Sequence, residues 1–87
     1  MIMKIFSMFY VYILRSAKKD WMYIGSTVDL KRRFKEYNSE KVLSTKHYAP
    51  FTLEAYVAVK TEKKARALEK YFKTGSGNSI LKKRILD

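Results

Sequence analysis

Arg33 and Tyr37 stand one helical turn apart, Tyr12 and Tyr23 lie in two short tyrosine-bearing clusters upstream, and Glu69 is the only acid between Lys63 and Lys73. A guanidinium, several phenols and a lone carboxylate are the parts of a one-metal phosphodiesterase site. Arginine grips a phosphate through two parallel hydrogen bonds and stabilises charge that develops on it during displacement. One carboxylate suffices for a Mg²⁺ or Mn²⁺ ion whose other positions are filled by water and substrate oxygen. A phenol, with a free pKa of about 10, needs a nearby cation before it can take part in proton transfer.

Each of these residues also has a plainer reading. The Arg33 stem can cover Phe34 while its head reaches water. Glu69 can pair with Lys73 four residues on. Tyr10, Tyr12, Tyr23 and Tyr37 can be ordinary strand and core aromatics with hydroxyls at the rim. His47 reads as a loop residue, and Gly75-Ser76-Gly77 lacks the spacing of a phosphate loop.

Composition narrows the choice. Nineteen Lys plus Arg against eight Asp plus Glu give a net charge of +11 over 87 residues, a field that draws polyanions. The absence of cysteine removes disulfides, thiolate metal sites and cysteine nucleophiles, and fits a reducing, cytoplasmic setting. The single histidine removes a histidine-cluster metal centre. No stretch reaches the roughly 18–20 apolar residues that cross a bilayer, so no membrane partner is expected. With 47% hydrophobic residues the chain has enough apolar mass for one small core. The expected organisation is a short N-terminal extension over residues 1–7 and one domain over 8–87.

The elements that must position these groups are legible from periodicity. Phe9–Leu14 is apolar on both faces, as a central strand is, and a polar turn at 16–20 leads into a second strand over Trp21–Gly25. A helix is expected from Leu30 to Ser39, with Asp29 or Thr27 as its cap. Leu30, Arg33, Phe34 and Tyr37 fall on one face, which places Arg33 toward the protein interior. Residues 39–50 read as loop. A third strand spans Phe51–Val59, with Phe51, Leu53, Ala55, Val57 and Val59 on its apolar face. A second helix fits 61–73 behind a Thr61 cap, Gly75 and Gly77 stop it, and a terminal helix covers 80–86. Three short strands and two or three helices predict an α/β fold, a mainly antiparallel sheet flanked by helices.

In motif order and spacing the chain resembles the GIY-YIG endonuclease superfamily, most closely its small single-domain bacterial members related to the nuclease domain of the repair subunit UvrC. Tyr10-Val11-Tyr12 matches the first motif through Tyr12, and Tyr23-Ile24-Gly25 matches the second. Arg33 falls on the catalytic arginine, Tyr37 on a position usually held by Tyr or His, and Glu69 on the metal-binding glutamate. The resemblance covers about residues 8–86. It implies DNA phosphodiester hydrolysis with one Mg²⁺ or Mn²⁺ ion on Glu69 and Arg33 stabilising the pentavalent phosphate. Tyr12 would activate or orient water, with Tyr23 and Tyr37 shaping the site. It further implies a structure-selective or weakly specific endonuclease linked to repair or recombination.

Three departures accompany it. Tyr10-Val11 replaces Gly-Ile, Ser26 stands where the repair nuclease carries lysine, and Asn78 lies too near Glu69 to match the late asparagine of several active members. Larger members carry separate DNA-binding domains. The alternative expectation is a catalytically weak or inactive nucleic-acid-binding module. RNA stays open as a partner because phosphate chemistry does not distinguish the sugar, and the chain is compatible with a monomer or a homodimer.

Overall fold

The protein is described by a computed structural model over residues 8–86; the expected extension over 1–7 lies outside the described residues. Three antiparallel strands, β1 (Phe9–Ser16), β2 (Met22–Thr27) and β3 (Phe51–Val59), form a sheet in the order β2-β1-β3. Helix α1 (Leu30–Asn38) lies on one face. Helices α2 (Glu62–Phe72) and α3 (Gly75–Leu81) lie on the other, with α3 passing into a π-helical turn over Lys82–Leu86. The α/β class, the antiparallel sheet and the flanking helices follow the sequence expectation.

As the central strand, β1 divides two apolar clusters. Val11 and Ile13 pack with Ile24, Ala65, Phe72 and Leu81 beneath α2 and α3. Tyr12 and Leu14 pack with Tyr37, Ala49 and Phe51 on the α1 side. Alternation along one strand therefore feeds both layers, which is why a run apolar at every position is needed here.

Local chemistry fixes the chain between these layers. Ser16 Oγ accepts from the backbone amides of Lys18 and Lys19, closing the β1–β2 turn. Of the two expected caps of α1, Asp29 is the one used, accepting from the Arg32 amide, while Thr27 Oγ1 accepts from the Asp29 amide in the turn that leads into the helix. The Asn38 side chain then donates to the Phe51 carbonyl and accepts from its amide, tying the end of α1 to the start of β3. Between them, residues 39–50 form the expected loop, with a 3₁₀ turn at Lys46–Tyr48 and the Tyr48 ring stacked on Trp21 at 3.9 Å.

Two expectations need correction. The apolar positions of β3 do not share one face. Ile13 pairs with Ala55 but Leu14 pairs with Leu53, so Glu54 is an extra residue in the ladder. That bulge shifts the alternation, sending Phe51 and Leu53 to the α1 side and Ala55 and Val59 to the other. Nor do Gly75 and Gly77 simply end a helix, since they open α3. Thr74 caps it by accepting from the Gly77 amide. A Cβ on Gly77 would fall 1.8 Å from the Tyr71 carbonyl oxygen, so glycine is required by the close approach to α2. The terminal helix thus begins before residue 80, and its Leu81 is fully buried while Lys82, Lys83 and Arg84 face outward, as expected.

Candidate active site

The β1–β2 pairing sets Tyr12 directly opposite Gly25. The Tyr12 ring lies across that glycine: a Cβ on Gly25 would stand 2.5 Å from the Tyr12 hydroxyl and 2.9 Å from the Tyr23 ring. From the other side α1 delivers Tyr37, whose hydroxyl meets that of Tyr12 at 3.0 Å. The rings of Tyr12, Tyr23 and Tyr37 lie 5.3–6.3 Å apart in tilted contacts, a spacing at which aromatic pairs attract beyond their buried area. Tyr12 and Tyr37 are almost fully buried, and Tyr23 is half-buried.

Arg33, one turn before Tyr37, lays its guanidinium 4.9 Å from the Tyr37 ring centroid and donates to Glu36 Oε1 at 2.9 Å. The side chain stays about one-third exposed. The Glu36 bond outweighs burial and holds the guanidinium charged. Burial pushes the Tyr12 phenol up, partly offset by its hydrogen bond to Tyr37 and by the adjacent Arg33 guanidinium. Burial likewise raises Tyr37, and its neighbours Tyr12 and Tyr23 raise it further. Both phenols are therefore neutral near pH 7.

Glu69 projects from α2 on the opposite face of the sheet. Its Oε1 accepts from Ser26 Oγ at 2.7 Å and its Oε2 accepts from Lys73 Nζ at 2.8 Å. Burial works to raise the carboxyl, but the bonds from Lys73 and Ser26 and the charges of Lys73 and Arg66 outweigh it and hold the group below its ordinary value. It lines an open groove of about 520 Å³ between β2 and α2, with Ser26, Thr27, Arg66, Lys70 and Lys73.

Tyr12, Tyr23, Arg33 and Tyr37 thus form one cluster, and Glu69 does not touch it. The link between the two is Lys73. Its ammonium binds Glu69 and stands 5.8 Å from the centroid of the Tyr23 ring. Strand β2 is an edge strand, and it carries both Tyr23 of the cluster and Ser26, the hydroxyl partner of Glu69. The sequence reading missed Glu36 as the partner of Arg33 and saw Ser26 only as a departure. Lys73 was legible as an i,i+4 partner; its position over Tyr23 was not, because that depends on how α2 crosses β2.

Among the described residues there is no group of three or more His, Cys, Asp or Glu able to encage a metal. The donor set instead fits a hard cation that keeps most of its water: one ionised carboxylate, a serine hydroxyl beside it and an open groove. Glu69 is the residue that would hold it.

The model of the GIY-YIG catalytic domain matches residues 8–84. Neither the curated proteins nor the solved structures yield a match. With nearly its whole length covered, the chain belongs to the GIY-YIG family, whose members are nucleases.

Proposed function

We infer that this GIY-YIG domain is a divalent-metal-dependent endonuclease that hydrolyses DNA phosphodiester bonds, with structure rather than sequence as the basis of its selectivity and repair or recombination intermediates as its substrates. The observation that supports this reading is that edge strand β2 carries both Tyr23 of the tyrosine–arginine cluster and Ser26, which binds Glu69, with Lys73 reaching from Glu69 toward Tyr23, while Arg33 and Glu69 both keep solvent access. A backbone running along that edge presents one phosphate to the guanidinium and to the carboxylate groove together.

In this mechanism Arg33 stays cationic and offers its remaining N–H groups to the non-bridging oxygens, where negative charge grows as the phosphorus becomes pentavalent. The Glu36 bond and the Tyr37 ring hold the guanidinium plane, so little reorganisation accompanies the reaction. Tyr12, as a neutral hydroxyl held in place by its bond to Tyr37, orients the attacking water. Tyr23 walls the site toward Lys73. A divalent ion on Glu69 supplies Lewis acidity and charge neutralisation at the phosphate. The net charge of +11 provides the sequence-independent attraction to the DNA backbone.

A second reading is favoured by one feature: Arg33 and Glu69 each have an internal ion-pair partner, Glu36 and Lys73. A domain that never released them would bind nucleic acid without turnover. Incubating branched, nicked and single-stranded DNA with the protein in Mg²⁺ or Mn²⁺ separates the two. The endonuclease reading expects metal-dependent cutting lost in Arg33→Ala and Glu69→Gln with binding largely kept. The binding-module reading expects affinity with no cleavage above an Arg33→Ala/Glu69→Gln control.

A further inference from the structure

Lys73 makes two contacts that ordinary surface lysines do not combine. Its ammonium caps Glu69 Oε2 at 2.8 Å, and it lies 5.8 Å from the centroid of Tyr23, toward the tyrosine–arginine cluster. The other carboxylate oxygen is already engaged by Ser26. Glu69 sits on α2 and Lys73, one turn on, is its C-cap residue, so the carboxylate stays in place if the flexible lysine stem swings away.

We propose that Lys73 is an exchangeable internal counter-ion: it occupies the carboxylate oxygen that a divalent cation takes, and, once displaced, it contacts a phosphate of the bound DNA at the β2 edge. The proposal rests on Glu69 being the ion's ligand.

Competition at Oε2 follows from simple electrostatics. An ammonium and a divalent cation on one carboxylate oxygen repel each other at close range, so loading the ion favours release of the lysine. The lysine side chain is about half exposed and leaves readily, because a solvent-screened ion pair of this kind is weak. Rotation about its stem keeps the released ammonium within the groove that Arg66 and Lys70 also line. There a DNA phosphate replaces the carboxylate as its partner. Ion loading and phosphate capture are thereby coupled without any movement of the fold.

The test compares wild type with Lys73→Met, Lys70→Met and Glu69→Gln. The methionine keeps the apolar stem of the lysine, and Lys70 lines the same groove without bonding to Glu69. Mn²⁺ binding to each protein alone is read by the paramagnetic signal of the free ion. DNA binding to a short duplex is read as a function of salt, with and without Ca²⁺.

Lys73→Met is expected to bind Mn²⁺ roughly three- to fivefold more tightly than wild type, Lys70→Met to change far less, and Glu69→Gln to lose the site. With Ca²⁺, the salt dependence of duplex binding should be shallower in Lys73→Met by about one phosphate contact. Without Ca²⁺ the two proteins should have the same slope. Mn²⁺ affinity unchanged or weakened in Lys73→Met, with Glu69→Gln still losing the ion, overturns the proposal while leaving the metal site standing. A slope difference that is the same with and without Ca²⁺ overturns the exchange. Mn²⁺ binding undiminished in Glu69→Gln overturns both the exchange and the placement of the ion.

Discussion

The ring of Tyr12 rests on the backbone of Gly25 so closely that a single methyl group there would stand 2.5 Å from the phenol oxygen. Small size, and not backbone freedom, is what the site requires of this glycine. Gly25→Ala is expected to force Tyr12 off Tyr37, destabilise the fold by about 1–3 kcal/mol and lower cleavage beyond the loss of folded protein. Urea unfolding beside activity at a temperature where the variant is fully folded checks both effects.

The Tyr12–Tyr37 hydroxyl pair gives a second prediction. Replacing either by Phe leaves the other buried hydroxyl without its partner and costs about 1–3 kcal/mol, whereas the double variant costs less than the sum. Burial raises both phenols above their unfolded value of about 10. The folded protein therefore holds protons that the unfolded chain has released. Stability is fully present below pH ~10 and falls as pH rises beyond it. Equilibrium unfolding across that range should show a steeper alkaline loss in wild type than in Tyr12→Phe/Tyr37→Phe.

Glu69 behaves in the opposite sense. Its carboxyl is held below the ordinary value by Lys73 and Ser26 despite burial, so its contribution exists above the unfolded pKa and disappears as pH falls through the folded one. Glu69→Gln should be less stable than wild type near pH 7, with the gap closing in acid. A gap that persists at the lowest pH would assign the loss to packing.

Glu40 closes α1 with a left-handed backbone, φ 61°, letting the Lys41 amide reach the Glu36 carbonyl. A side chain there is strained, and glycine is the usual occupant. Glu40→Gly is expected to stabilise the protein by about 0.5–1 kcal/mol without changing cleavage, as thermal melts and activity at fixed DNA concentration will show.

The helical and strand periods of this chain were readable because they are carried by side chains that face a core on both sides of β1. Arg33 and Tyr37 on one turn, Asp29 and Thr61 as caps and the antiparallel hairpin all follow from local spacing. The bulge at Glu54 was not legible, since an extra residue in a ladder leaves the apolar pattern of β3 intact and shows only in the pairing with Leu14. Gly77 looked like a helix stop because its reason for being glycine is the Tyr71 carbonyl, a neighbour supplied by the preceding helix. Within the site Arg33 and Tyr37 could be grouped from helical spacing, whereas Tyr12 and Tyr23 joined them only through the resemblance to the GIY-YIG motifs. That Glu69 reaches them through Lys73 across an edge strand depends on tertiary crossing alone.

Single-turnover cleavage of a branched DNA in Mg²⁺ by wild type, Arg33→Ala, Glu69→Gln and the double variant measures most directly whether the guanidinium and the carboxylate act on one phosphate. Each single change should slow cutting roughly a hundredfold or more, and the double variant should be little slower than the worse single, as for groups that work as a unit. Cutting by Arg33→Ala or Glu69→Gln at the wild-type rate would contradict that shared site.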